Sequence, residues 1–120
     1  MAAFDWSEYL TFAKELSTRT DEAALRSAIS RAYYAAFHCA RAYCKAKSIP
    51  IPESLDNSSH KVVWDALLNR GRTLAGAQAK GTRLKRKRHD ADYESQMENL
   101  PDVVRQAIQE SDAVFAYLRL

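Results

Sequence analysis

The residues best equipped for chemistry lie at the end of a strongly basic segment. Between Arg70 and His89 the chain carries eight lysines or arginines and no aspartate or glutamate. The segment then continues through Asp90 and Asp92 to Tyr93. A histidine titrates near neutral pH and can act as a general acid or base, and guanidinium groups bind phosphate through paired hydrogen bonds. The pattern therefore places groups that can hold a phosphodiester beside groups that can move protons.

Helical spacing would organise these groups into two faces. Arg86, His89 and Tyr93 would share one face, and Arg88 and Asp92 would form an i, i+4 pair on the next. Guanidinium groups beside His89 can stabilise the extra negative charge of a pentacoordinate phosphorus transition state. The attacking group can be the 2′-hydroxyl of RNA itself, so this chemistry needs no metal or cofactor. The same spacing also fits a simpler role, in which each of these groups pairs with an oppositely charged neighbour.

A metal site is not predicted. The three histidines, at positions 38, 60 and 89, lack the close spacing that is typical of metal ligands.

Length and charge favour one domain with an anionic partner. A chain of 120 residues can bury one modest core, and we expect a single domain over residues 1–120. The net charge of +3 is uneven, because the basic segment contributes +8 and the remainder −5. Such a split favours a polyanion against one face, although a solvated basic loop without a partner would have the same composition.

The sequence predicts a cytoplasmic protein. No apolar run approaches the length of a membrane span, and the first residues lack the pattern of a signal peptide. The two cysteines, Cys39 and Cys44, lie five positions apart on a predicted helix and are poorly placed to bridge each other.

Hydrophobic spacing predicts helices along almost the whole chain. They are expected at about residues 5–17, 21–47, 60–69, 82–94 and 100–120. Three glycines, at 71, 76 and 81, predict a loop or a weak helix over residues 71–81. The broad apolar arc of the second helix indicates burial on two sides, inside a bundle or at a subunit interface. With no strand-like alternation, the fold class is all-α, with four or five helices.

A polar ridge lies on the flank of that second helix. Its members, at intervals of three and four, are Arg31, Tyr34, His38 and Arg41. The ridge is either a solvated edge with its stems packed down or part of an interface or site. Because Arg31 is surrounded by apolar neighbours, we expect it to be partly buried and to form an ion pair with Asp92.

Three blocks of the chain resemble the HEPN family. They are Ser30–Phe37 (SRAYYAAF), Ser59–His60 followed by an apolar run, and Arg88–Tyr93 (RHDADY). The resemblance implies an up-and-down helical bundle that commonly forms a homodimer. Many members are metal-independent ribonucleases, either toxins encoded beside a nucleotidyltransferase-like (MNT) antitoxin or components of abortive-infection and CRISPR defence. RNA, a second copy of the chain and an MNT-type antitoxin are therefore the partners it implies.

The catalytic signature of that family is an arginine, usually followed by a polar residue, with four to six residues in all between the arginine and a histidine. Two alignments fit this chain in part. The first pairs Arg83 with His89 but places Leu84 where a polar residue is usual. The second begins at Arg88, with His89 in the polar position, and has no histidine at the end; the residues found there are Tyr93, Glu94 and Ser95.

The resemblance thus implies roles for individual residues. On the first alignment Arg83 and His89 are catalytic, and the RNA backbone is held by the cations at Lys85, Arg86, Lys87 and Arg88. Supporting roles fall to Arg88, Asp92, Tyr93 and His60, although for His60 a structural role is favoured over a catalytic one. On the second alignment the chain is a HEPN module that binds a nucleotide, RNA or a protein without cutting. A third reading is an interaction protein whose basic segment docks on an acidic partner.

Overall fold

Five α-helices form the part of the chain that the computed structural model describes, residues 3–52 and 59–119. They are α1 (Ser7–Leu16), α2 (Glu22–Ala46), α3 (Ser59–Ala66), α4 (Arg72–Tyr93) and α5 (Leu100–Tyr117). No strand occurs within these residues, so the predicted all-α class is confirmed. None of the described helices is both long enough and apolar enough to cross a membrane.

Of the two alternatives for residues 71–81, the loop is wrong and the helix is present, because α4 is continuous from Arg72 instead of beginning at about residue 82. Only Gly71 stands outside the helix, where its φ of +100° lies in the region that favours glycine. Gly81 is buried within α4 against the indole of Trp64 on α3. A β-carbon at that position would overlap the six-membered ring of Trp64. This glycine therefore permits a close helix–helix approach instead of ending a helix.

The second helix is the centre of the fold, as its broad apolar arc predicts. It packs against each of the other four helices. Small side chains make this possible, since Ala28, Ala32, Ala36 and Ala40 are all completely buried. Burial of α2 on more than one side is thus achieved inside a single chain.

Polar contacts fix α4 against its neighbours. The guanidinium of Arg26 on α2 donates to the carbonyl oxygens of Ala91 and Glu94, at 3.0 and 2.5 Å, and to that of Ser95 at 3.3 Å. The last carbonyl groups of a helix lack hydrogen-bond donors inside the helix. Arg26 provides donors at the end of α4. The end of α4, where the candidate chemical groups lie, is therefore held in place by α2.

The two cysteines do not form a disulfide. Cys39 is half-buried, Cys44 is buried, and both are free thiols. Burial raises the pKa of Cys39 to about 11, so its thiol stays protonated near neutral pH.

Candidate functional site

The outward face of α4 carries exposed cations. Leu84 and Ala91 are buried and define the side of the helix that meets the core. Arg83, Arg86 and His89 lie away from that side and are exposed. Helical geometry, with about 100° between successive residues, thus separates a buried apolar stripe from a solvent-facing basic one.

His89 keeps most of its imidazole in solvent. Its side chain is 60% exposed, and Nδ1 lies 4.0 Å from the carboxylate of Asp90, at the limit of an ion pair. Its ring centroid is 4.9 Å from that of Tyr93, one turn further on. The shared face predicted for His89 and Tyr93 is confirmed. The contact with Asp90 is too long to hold the imidazole in one orientation, so His89 remains accessible to a ligand.

Arg83 and His89 do not converge within one chain. Six positions on an α-helix separate two residues by about 120° around the axis and about 9 Å along it. Arg83 instead lines a shallow groove of about 490 Å³ together with Arg86, Lys87 and Asp90. Arg83 and His89, the pair implied by the first alignment, therefore point in different directions from the same helix.

Lys87 is engaged inside the protein. Its ammonium nitrogen lies 2.8 and 3.0 Å from the two carboxylate oxygens of Glu110 on α5. The side chains are only 19% and 11% exposed. Lys87 therefore neutralises a buried carboxylate, which leaves it poorly suited to the RNA-backbone contact expected from the sequence.

Arg88 is likewise turned inward. Its side chain is 12% exposed, and it forms the predicted i, i+4 ion pair with Asp92 at 3.5 Å. The guanidinium carbon lies 5.4 Å from the ring centroid of Tyr33 and 5.8 Å from that of Tyr34, within the range of cation–π interaction. Arg88 thus ties α4 to α2 and is not a freely exposed cation.

The predicted ion pair between Arg31 and Asp92 is wrong. Arg31 packs on aromatic rings, with its guanidinium carbon 4.7 Å from the centroid of Tyr9 and 5.6 Å from that of Tyr34. Asp92 is paired with Arg88 instead. An i, i+4 partner on the same helix is already in reach, so no partner from α2 is required.

His60 forms a polar cluster with two aromatic residues. The indole N–H of Trp64 donates to the hydroxyl oxygen of Tyr33 at 3.2 Å, and that oxygen lies 2.7 Å from Nδ1 of His60. An indole nitrogen only donates, so the Tyr33 hydroxyl is free to donate its proton to Nδ1. This arrangement favours a neutral imidazole that carries its proton on Nε2. This contact joins His60 on α3 to Tyr33 on α2.

Burial and nearby cations reinforce that neutral state. Burial is the main cause that lowers the pKa of His60, followed by the positive charges of Arg88 and Lys85. Burial also raises the pKa of Tyr33 to about 12, so its hydroxyl remains a donor. The cluster combines a neutral histidine, a protonated tyrosine and a largely buried arginine.

We expect this cluster to make the protein less stable in mild acid. Because the folded-state pKa of His60 lies below the unfolded value of about 6.5, the folded chain takes up its proton less readily. The resulting contribution to the free energy of unfolding is present above the unfolded-state pKa and is lost as the pH falls through the folded-state pKa. The free energy of unfolding, measured with urea, should decrease less between pH 7 and pH 5 for His60→Gln than for the wild type.

The matched control for that measurement is Lys61→Gln, at the neighbouring exposed position of α3. This variant should retain the wild-type dependence on pH. An unchanged decrease in His60→Gln would show that protonation of His60 does not limit stability.

One group of side chains has the proximity that metal ligands require. Ligand atoms of His89, Asp90 and Glu94 all lie within 4.8 Å of one another. The spacing of the histidines alone could not indicate this group, because its other members are carboxylates on the same helix end. All three are at least partly exposed, and exposed acidic groups of this kind are common without a bound ion.

Comparison with protein families, curated proteins and solved structures gives no match for this chain.

Two partners in the site region carry no sequence signal of their own. The hydrophobic periodicity places Tyr33 among the apolar core positions. The hydrogen bond between its hydroxyl group and His60 joins residues 27 positions apart in the sequence. Glu110, which neutralises Lys87, lies 23 positions away in the middle of another helix. Its place on the buried side of α5 is the one available hint, since a carboxylate there needs a cation.

Proposed function

We propose that this chain is a HEPN-type RNA-binding protein that cleaves RNA without a metal ion, and that RNA meets the outward face of α4. One observation carries the proposal. Arg83, Lys85 and Arg86 form no ion pair with any described residue, although eight ion pairs occur in that part of the chain. Three cations without acidic partners on one helix are available to phosphate groups, whose negative charge dominates the affinity of RNA for proteins.

The internal pairs reduce the proposed RNA contacts to fewer residues than the sequence indicates. Lys87 and Arg88 are held by Glu110 and Asp92. The backbone contacts then fall to Arg83, Lys85 and Arg86. His89, also exposed on α4, is the group that would transfer a proton to or from the RNA.

A homodimer is part of this proposal. Arg83 and His89 of one chain point in directions about 120° apart. Both could reach one phosphate if Arg83 came from one protomer and His89 from its partner. The role of a toxin or defence component restrained by an MNT-type nucleotidyltransferase is supported by the sequence resemblance alone.

A second candidate function is RNA or nucleotide binding without cleavage. The favouring observation is Leu84, which is 0% exposed and fills the position where the catalytic signature usually has a polar residue. A side chain packed in the core cannot contact RNA. The basic face alone would then define a binding module, which could also recruit a protein partner.

Salt dependence of RNA binding tests the proposed surface. The wild type should bind a labelled structured RNA with an affinity that decreases steeply between 50 and 200 mM salt, roughly the range in which counterion release acts. Arg83→Gln/Arg86→Gln should lower the log–log slope by about 1.4, because two single-strand phosphate contacts are lost. Affinity that does not change with salt would contradict the proposal.

The matched control is Arg19→Gln/Arg105→Gln, which removes the same charge from exposed cations paired with Asp21 and Asp102. It should leave the slope nearly unchanged. The same RNA incubated in EDTA decides between the two candidates: cleavage supports the metal-independent nuclease, and tight binding without cleavage supports the binding module.

A further inference from the structure

A groove of about 530 Å³ lies beside the C-terminal half of α2, away from the residues of the proposed function. One wall is aromatic and consists of Trp6 and His38. Two cations, Arg41 and Lys45, line it as well. The remaining wall is aliphatic and includes Ile49 and Ile51. The groove therefore combines flat rings, positive charge and apolar surface.

The aromatic wall is held in a fixed orientation. The rings of Trp6 and His38 are stacked, with centroids 3.5 Å apart and planes inclined by 11°. Trp6 also makes edge contacts with Phe4 and Tyr9, at centroid distances of 4.9 and 5.2 Å. These contacts order the two rings before a ligand binds, which lowers the entropic cost of binding.

The two cations are available to an anion. Arg41 and Lys45 are exposed and lie one helical turn apart on α2. Neither forms an ion pair with a described residue, and no acidic side chain among the described residues lines the groove. A phosphate group in the groove would meet both cations.

Aromatic contacts connect this groove to the His60 cluster. The ring of Phe37 lies 5.3 Å from that of His38 and 4.3 Å from that of His60. His60 in turn lies close enough to Lys85 and Arg88 for their charges to lower its pKa. The buried ring of Phe37 thus joins the aromatic wall of the groove to the His60 cluster.

We propose that this groove binds an unpaired nucleotide of the RNA, with its base against the Trp6–His38 wall and its phosphate on Arg41 and Lys45. Stacking on aromatic rings together with cations along the backbone is the general mode of single-strand recognition. The proposal rests on the RNA-binding function proposed above and adds a subsite that selects single-stranded RNA. It also gives a role to His38 and Arg41 of the ridge on α2.

The test compares two double variants on one single-stranded RNA and on a duplex of the same length. Arg41→Gln/Lys45→Gln should weaken binding of the single strand by about tenfold, the effect of losing one stacked and phosphate-anchored nucleotide. Binding of the duplex should change less. Arg19→Gln/Arg105→Gln, with the same change in net charge, should bind both RNAs like the wild type.

Photocrosslinking locates the base directly. A single strand containing 5-bromouridine should crosslink to Trp6, as identified by mass spectrometry. Uridine monophosphate should reduce this crosslink far less than unlabelled RNA at the same concentration. Crosslinks that avoid Trp6 would overturn the subsite. Equal displacement by the mononucleotide would overturn its assignment to RNA and indicate a site for free nucleotides.

The two proposals fail in different ways. If Arg83→Gln/Arg86→Gln weakens binding while Arg41→Gln/Lys45→Gln does not, the subsite is rejected and the α4 surface stands. If only the groove variant weakens binding, the α4 surface is rejected and the subsite stands. A wild type that binds no RNA rejects both.

Discussion

Replacing His89 with alanine should reduce the rate of RNA cleavage by at least about 100-fold, the usual contribution of a general acid or base. RNA affinity should remain close to that of the wild type, since the basic side chains of α4 are unchanged. The measurement is single-turnover cleavage of a labelled RNA in EDTA. Because His89 is exposed and its contact with Asp90 is long, the variant should also keep its thermal stability.

Arg83→Ala should cause a loss of similar size if its guanidinium stabilises the charge of the transition state. Mixing this variant with His89→Ala then tests the dimeric site. A mixed dimer would contain one site with Arg83 from one protomer and His89 from its partner, so mixing should restore part of the activity. No recovery in a mixture shown to exchange subunits would place both residues in one chain or remove one of them from the reaction.

His60→Ala provides the comparison among histidines. The hydrogen bond with Tyr33 fixes His60 in the helix packing, so this variant should lose stability but keep cleavage at a temperature where it is folded. The opposite pattern, with cleavage lost in His60→Ala and kept in His89→Ala, would contradict the assignment. The chemistry would then belong to the cluster of His60 and Arg88.

Hydrophobic spacing predicts the presence of all five helices and the central place of α2, because these features depend on which residues face the core. It fails over residues 71–81. A glycine inside a helix costs about 1 kcal/mol relative to alanine, and three glycines in that stretch therefore indicate a break. At Gly81 this cost is offset by close packing against Trp64 on α3, which lies 17 positions earlier in the sequence. Local propensity cannot include a partner that only the folded chain brings near.

The contacts of the candidate site are likewise of two kinds: those that helical spacing predicts and those that only the packing of the helices brings together. The ion pair of Arg88 with Asp92 follows from helical spacing alone and is confirmed at 3.5 Å. The partners of Lys87 and Arg31 are set by the packing of α4 and α1 against their neighbours, and spacing does not predict them. Sequence therefore indicates which cations the segment contains, whereas the structure decides which of them stay free for a ligand.

Gly81→Ala should destabilise the protein by about 1 to 3 kcal/mol, the usual range for adding carbon atoms to a packed core. Helix propensity alone predicts the opposite sign, a gain of about 1 kcal/mol. The added β-carbon would overlap the ring of Trp64, which is 1% exposed and has no space to move into. Urea denaturation followed by circular dichroism measures the difference. A variant as stable as the wild type would show that the α3–α4 contact is loose.

Gly76→Ala on the same helix is the matched control. Its β-carbon would lie 3.0 Å from the ring of Tyr117, but Tyr117 is exposed and can rotate away. The propensity gain should therefore persist there, at up to about 1 kcal/mol. Opposite signs at two glycines five positions apart would separate the packing effect from the propensity effect, because the helical backbone is common to both.

Trp64→Phe tests the same contact from the other side, because it removes part of the indole that the β-carbon of Gly81→Ala would overlap. In that background the cost of Gly81→Ala should fall, since phenylalanine lacks the fused ring system and leaves room beside α4. Residues in direct contact show such non-additivity, typically by 0.5–3 kcal/mol. The same substitution removes the indole donor to Tyr33, so it should also weaken the position of His60. If the cost of Gly81→Ala is identical in both backgrounds, the close approach of α3 to α4 is not what fixes the glycine.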